Sequence, residues 1–291
     1  MRKSFGQVAF DILNVLYLTT LAIAMVSPFL LVLGTSFSAE KMITLHGYTI
    51  WPREFSLAAY RFVIEGGTIF RAYGISAFVT LTGTFIAVLI TSMAGYAISR
   101  KCLKYRNVFA LLFYFTMLFN GGIVPWYIMV NQMGFRNSIW ALILPICFSP
   151  FLMLLIRNFF QTLPDAIIES VKLDGAGEMR IFLQIILPIS LPGLATITLF
   201  YMLSYWNDWW LALCFIDQEQ LFPLQYLLRK VLSSTAYAKM GGMQSKMVVG
   251  NAPTETVKTA TSIFTIGPII LVYPFIQKYF VKGITIGAVK G

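Results

Sequence analysis

The residues of this chain best suited to holding a solute crowd into two stretches. One contains Tyr201, Ser204, Tyr205, Trp206, Asn207, Asp208, Trp209 and Trp210; the other contains Asn120, Trp126, Tyr127 and Asn131. Aromatic faces stack on the CH surfaces of a sugar-like molecule while hydroxyls and amides bond its OH groups, and polar groups inside a membrane must satisfy one another. Trp126, Tyr127, Asn131, Tyr201, Tyr205, Asn207 and Asp208 are therefore candidates for the lining of a passage. Trp and Tyr also gather at membrane interfaces for reasons unrelated to passage, and Trp206 to Trp210 lie about 30 Å along a helix from Pro188, at the depth of such a belt. Asp208, the one acid in the second half of its stretch, either pairs with a nearby cation or faces the entry of the path. Bond-making chemistry is not indicated. His46 is the only histidine, Cys102, Cys147 and Cys214 form no CxxC pair, and no acidic or histidine cluster gathers near them. No catalytic residue, metal ligand or disulfide is expected.

The elements that carry these residues are set by composition. Of 291 residues, 58% are hydrophobic and 12% charged, and mean hydropathy is +0.75, against a charged share of about 25% in soluble domains. Apolar runs of helical length recur, without the alternation of a membrane barrel. The fold class expected is an all-α membrane protein of six transmembrane helices, approximately 11–34, 71–99, 107–130, 138–160, 185–215 and 260–281, forming one domain over 1–291. The apolar run after Met1 extends to Leu33 without a convincing small-x-small cleavage site, so it reads as a retained first helix. The loop 99–106 carries Arg100, Lys101, Lys104 and Arg106, whereas 131–137 carries only Arg136. By the positive-inside rule the first is cytoplasmic and the second outside, which places both termini and a loop at about 161–184 in the cytoplasm, and segments 35–70 and 216–259 outside. The net charge of +10 is scattered at span ends, which excludes a nucleic-acid face and fits lipid headgroup contacts.

Between spans four and five lies a polar segment, Glu169-Ser-Val-Lys-Leu-Asp-Gly175-Ala-Gly-Glu-Met-Arg-Ile-Phe-Leu-Gln-Ile185-Ile-Leu-Pro188. Pro164-Asp165 can start a helix, Ala166 to Leu173 continues it, and Asp174-Gly175 ends it, glycine being the residue least strained in a left-handed terminus. A second helix is expected from about Gly177 to Ile186. Ile167, Ile168, Val171 and Leu173 give the first helix an apolar surface that suits a groove on another protein. The bland alternative is an ordinary interfacial loop with a plain glycine cap.

The spacing of Glu169, Gly175, Ile185, Leu187 and Pro188 resembles the cytoplasmic loop signature of ATP-binding-cassette importer permeases, with Ser170-Val171 standing where that family usually has two alanines. The stretch Phe119-Asn-Gly-Gly-Ile-Val-Pro125 to Trp140-Ala-Leu-Ile-Leu-Pro145, and the tail from Tyr273 to Gly291, look like its carbohydrate subgroup, one of two unequal subunits of the maltose type. The resemblance implies a type I importer permease with cytoplasmic coupling helices. It assigns ATPase coupling to Glu169, Ser170, Val171, Asp174, Gly175, Ala176 and Gly177, with Glu169 as a charge contact and Gly175 as the bend. It further implies a sister permease subunit, two ATP-binding-cassette ATPase subunits and an extracytoplasmic solute-binding protein in a bacterial cytoplasmic (inner) membrane. The cargo implied is a carbohydrate, an oligosaccharide. The tail either reaches between the ATPases or is a frayed terminus.

No GxxxxGK[ST] motif occurs, so this chain is expected to hydrolyse nothing and to bind no cofactor, with ATP and Mg held by the partner ATPases. Three rivals stand beside this reading. An ion-coupled secondary transporter would want acids or broken half-helices at the membrane midplane. A membrane enzyme would want a polar cluster near the interface. A permease of the same fold could carry a non-sugar solute. Arg229, Lys230, Lys239, Lys246 and Lys258 would make a basic outer mouth suited to an anionic, uronate-type oligosaccharide.

Overall fold

The computed structural model describes residues 4–240, 255–268 and 270. In chain order the helices are α1 (Phe5–Ser36), α2 (Glu40–His46), α3 (Ala58–Glu65), α4 (Thr68–Ser99), α5 (Arg106–Leu118), α6 (Ile123–Gln132), α7 (Trp140–Ile143), α8 (Pro150–Phe160), α9 (Asp165–Leu173), α10 (Glu178–Ile181), α11 (Leu187–Ile189), α12 (Leu191–Asn207), α13 (Trp210–Phe215), α14 (Leu224–Met240) and α15 (255–268). Among the described residues the only β-type pairing is an isolated antiparallel bridge between Ser38 and Phe55. The chain divides into two compact units, Met1–Ile69 with Leu228–Gly267, and Phe70–Leu227 with Pro268–Gly291.

In the first unit, α1 is a 32-residue apolar helix with no buried residue in its most hydrophobic stretch. Ser4 opens it, its N–H donating to Gln7 Oε1 at 3.1 Å, a carboxamide serving an otherwise unpaired helix-end donor. At the far end Ser36 Oγ meets Tyr60 Oη at 2.8 Å, and Phe37 stacks on both Phe55 and Tyr60. The segment 35–70, expected as a mixed loop, instead contains α2 and α3. Ala59 of α3 packs against Val257 and Ala260 of α15 in a small core. Glu40 closes the start of α15: its carboxylate accepts from the Glu255 N–H at 2.9 Å, the Thr256 N–H at 2.9 Å and Thr256 Oγ1 at 2.7 Å. Tyr48 Oη donates to Glu255 Oε2 at 2.5 Å, and this bond, with burial and the nearby carboxylates, pushes the phenol up to about 12, so it stays a donor. The sixth expected span, 260–281, therefore begins by residue 255; its part from residue 271 on and the tail lie outside the described residues.

The second unit is built on α4, α8 and α12. Its buried cluster runs through Val79, Ala87, Ile143, Ile156, Phe182, Ile197, Tyr201 and Tyr205. Small residues let these helices approach: a Cβ placed on Gly83 would fall within 3 Å of the Tyr205 ring, and one on Gly95 would strike Ile156. Each would cost repacking of a dense interior.

The expected spans three, four and five are not straight. α5 and α6 meet at 112°, α7 and α8 (with the 3-10 turn Leu144–Ile146) at 54°, and the run from α10 to α11 meets α12 at 85°. The third expected span breaks at Phe119–Gly122, where Asn120 Oδ1 accepts from the Gly122 N–H at 2.9 Å, a local turn that competes with helix continuation. The fourth breaks ahead of Pro150, with Ser149 capping α8 through the Leu152 N–H at 3.4 Å. The fifth is interrupted twice. Pro192 sits in the first turn of α12 after Ser190, a proline in a helix interior losing its donor and clashing with the preceding turn. Asp208, extended at ψ 123°, then separates α12 from α13. α1 and α4 are each long and apolar enough to cross a membrane, and the three bent pairs supply three more crossings when each counts as one.

Candidate functional site

The segment 161–189 is assembled by local rules and pinned by charge. Pro164 precedes α9 in an extended conformation, and Asp165 occupies its first turn, where an acid complements the helix dipole. The end of α9 satisfies its carbonyls by two reciprocal bonds. The Gly175 N–H donates to the Lys172 carbonyl at 3.0 Å, and the Ala176 N–H to the Val171 carbonyl at 3.3 Å. This is a Schellman closure, which requires a left-handed residue at the Gly175 position; its φ is +80°. Val171 and Ala176 both pack against the main buried cluster, the apolar contact that accompanies such a closure.

The face expected to be uniformly apolar is divided. Ile168 is 5% exposed and belongs to the unit's own core, whereas Leu173 is 89% exposed. The physical reason is the 3.6-residue period: from Ile168, Val171 is about 300° around the helix and returns to the same side, while Leu173, at about 500°, does not. Glu169, Ser170, Asp174, Gly175 and Gly177 are exposed, Val171 and Ala176 half-buried. These coupling candidates thus form one contiguous surface around the closure, with Leu173 as its apolar member.

The second helix differs from the single run expected over 177–186. It begins at Glu178 after Gly177, loosens into a π turn over Phe182–Ile186, and resumes as α11. Glu178 is the electrostatic hub. Lys172 Nζ lies 2.5 Å from its Oε1, Tyr96 Oη donates to its Oε2 at 2.7 Å, and Arg100 Nε stands 3.8 Å from the same oxygen. Arg100 also lies over the Tyr96 ring. The Lys172 hydrogen bond, then partly offset by burial and aided by Tyr96 and Arg100, holds the Glu178 carboxyl below the usual carboxylate range. In parallel, Lys101 pairs with Asp165 at 2.5 Å and lowers its carboxyl in the same sense. Sequence spacing alone leaves Glu178, Tyr96, Arg100 and Lys101 unassigned; the one signal was an acid directly after the Gly177 break, at the start of a helix.

The passage candidates do not converge on one place. Tyr201 Oη meets Thr91 Oγ1 at 2.6 Å and accepts from the Ser149 N–H at 2.9 Å, and Tyr205 Oη donates to the Ile143 carbonyl at 2.9 Å. Both rings are buried in the main core. Trp126 and Tyr127 lie against Phe215, at 5.3 Å between ring centroids in each case. Asn131 is half-buried, and its Oδ1 has no hydrogen-bond partner among the described residues. Asn207 is exposed and accepts from Gln225 Nε2 at 3.1 Å. Asp208 neither pairs with Lys nor Arg among the described contacts; its Oδ2 accepts from the Leu211 N–H at 3.1 Å, closing the start of α13. Arg136 and Asn137 both hold Asp217, at 3.0 Å and 3.1 Å.

The family described as binding-protein-dependent transport system inner membrane component matches residues 101–286, which include the Schellman closure and all of α9 to α14. The chain belongs to this family. It is thus a permease subunit of an ATP-binding-cassette importer and an inner-membrane component. It is 38% identical over 283 residues to the polygalacturonan/rhamnogalacturonan transport system permease protein YtcP of Bacillus subtilis (strain 168), covering 97% of this chain and 98% of that one. It is 28% identical over 276 residues to the arabinooligosaccharides transport system permease protein AraQ of Halalkalibacterium halodurans, covering 93% of each. The crystal structure of a bacterial ABC transporter involved in the import of the acidic polysaccharide alginate contains a chain that superposes with a TM-score of 0.85 at 27% identity, over 96% of this permease and 99% of that chain.

Proposed function

We propose that this permease imports an oligosaccharide rich in uronic acid, delivered by an extracytoplasmic binding protein, as one of two unequal membrane subunits driven by a separate pair of ATPases. The observation that carries the coupling half of this reading is the exposed, rigidly closed end of α9, from Glu169 to Gly177, with Leu173 standing almost fully in solvent. A helix tied at its start by the exposed Lys101–Asp165 pair and at its end by the Glu178 hub is suited to pass on a push from a partner. Glu169 and Asp174 supply charge to the contact; Leu173 supplies its apolar centre. ATP and Mg belong to the partner subunits, and this chain contributes no cofactor site. Both termini and the coupling loop face the cytoplasm.

The cargo half rests on relatives whose names specify polygalacturonan, rhamnogalacturonan and alginate, together with the exposed cations Arg229 and Lys230 on α14. Lys258 contributes less than its sequence position suggests, being half-buried and 3.9 Å from Glu255; Lys246 and the side chain of Lys239 lie outside the described residues. Of the passage candidates, Trp126, Tyr127, Asn131, Asn207 and Asp208 remain assigned to the path, Tyr201 and Tyr205 to the packing beside it. The test is ATPase stimulation of the whole complex in liposomes by binding protein loaded with oligogalacturonides or with neutral oligosaccharides of equal length. Selective stimulation by the acidic series supports the cargo; equal stimulation by both sinks it while leaving the importer reading intact.

A further inference from the structure

Where α4 ends and α5 begins, the chain encloses a pocket of about 180 Å³ lined by Ser99, Arg100, Lys101, Arg106, Gln161 and Asp165 over an apolar floor. At about 30 Å³ per water in the liquid, this is room for about six. Three cations and one acid line it, and the acid is already engaged by Lys101. Arg100 Nε is buried without a hydrogen-bond partner, its nearest acid standing off at 3.8 Å. Arg106 is half-buried and makes no side-chain hydrogen bond or ion pair among the described residues.

Three cations against one engaged acid leave the lining positive, and the group that matches guanidinium donors is a planar or tetrahedral oxyanion able to take several N–H donors at once. We propose that this pocket binds a single phosphate group through Arg100 and Arg106. Basic pockets between membrane helices on the cytoplasmic side recognise lipid headgroups in this way, and α5, which starts at Arg106, buries none of its residues and leaves Val108, Leu111 and Leu112 exposed beside the site. The headgroup of an anionic phospholipid and free phosphate share this chemistry. The occupant would bridge the α4–α5 connection to Gln161 and the start of α9, bracing the coupling loop. The inference holds whatever the cargo.

The test uses the whole complex in nanodiscs of phosphatidylcholine with or without phosphatidylglycerol, comparing the native chain, Arg106→Gln, Arg106→Lys and, as a control outside the pocket, Lys104→Gln. Native mass spectrometry should find phosphatidylglycerol retained roughly tenfold less by Arg106→Gln, with Arg106→Lys between that and native and Lys104→Gln close to native. If retention is equal but millimolar inorganic phosphate raises the thermal midpoint of the native complex and not of Arg106→Gln, the site holds and its source is soluble phosphate. Equal behaviour of native and Arg106→Gln in both arms overturns the proposal. So does loss of the ATPase subunits by Arg106→Gln with lipid and phosphate responses unchanged, which would assign the pocket to a protein side chain. Should Arg106→Gln fail to assemble, competition on the native complex decides: phosphate that releases retained phosphatidylglycerol supports a shared site, and phosphate that leaves it bound overturns it.

Discussion

The cytoplasmic segment around α9 and the polar stretch of α12 use the same kinds of side chain for opposite ends. Around α9, hydroxyls, carboxylates and amines bond one another so that a few neighbours stand free: Lys172, Tyr96 and Arg100 surround Glu178, and Glu169 and Leu173 remain open. Along α12, Tyr201 and Tyr205 spend their hydroxyls on Thr91, Ser149 and Ile143 inside the core. A dense run of aromatics and amides in a membrane helix therefore marks a place where polar groups had to be satisfied. Whether they are satisfied by the protein or by a passing solute is decided by the neighbours.

The sharpest way to break this contrast is at Gly175. Proline there would need φ near −65° where the chain has +80° and would delete the N–H bonded to Lys172, so Gly175→Pro should lower stimulated ATPase activity of the complex more than about tenfold. Full stimulation in that variant would remove the coupling role of the closure. Next in size, Tyr201→Phe should destabilise the chain by about 1–3 kcal/mol, because the Ser149 N–H and Thr91 lose a buried partner; the thermal midpoint should fall with the KM for cargo unchanged. A raised KM with no loss of stability would move Tyr201 from the packing to the path. Leu173→Ser should change stability by less than about 0.5 kcal/mol, as for other exposed sites, yet release the ATPase subunits a few-fold more readily in detergent. Retention equal to native would take Leu173 out of the contact.

The smallest effect concerns pH. Because Glu178 has a lowered folded pKa, its contribution to stability is fully present above the ordinary carboxylate value of about 4.3 and is lost as pH falls through the lowered one. Thermal midpoints of native and Glu178→Gln complexes between neutral pH and that acid range should converge as pH drops. Parallel curves would mean that the hub stores no native-state preference for the charged form.

The α9 region was readable in advance because its determinants are local. Gly175 acts through its own φ and its bond to Lys172 three positions back, and Ala176 bonds Val171 five positions back, so spacing carries the information. The existence of the spans was readable from composition for the same reason. The bends were readable only as possibilities: Asn120, Pro150, Pro192 and Asp208 are visible as letters, but whether each interrupts a helix or is tolerated depends on packing contributed by distant segments. α2 and α3 are not legible in the letters because neither has a long apolar stripe: α3 finds its core only with Val257 and Ala260, and α2 meets α15 through Glu40. The role of Glu178 is not legible in the letters around it, since its partners Tyr96 and Arg100 lie far earlier in the chain, where Arg100 reads as a topology signal.

Glu40 and the start of α15 carry a consequence in time. The carboxylate and the two N–H groups that it accepts are 215 and 216 residues apart, and at a synthesis rate of about 5–20 residues per second roughly 10–40 s pass before the second partner exists. Through that interval α2 and α3 have emerged while the helix that completes the small core around Ala59 has not, so the early part of the chain must wait, exposed to chaperones and proteases, for its own distal end. Mutations at Glu40 should accordingly show first as reduced yield of inserted protein, ahead of any defect in what the assembled permease does.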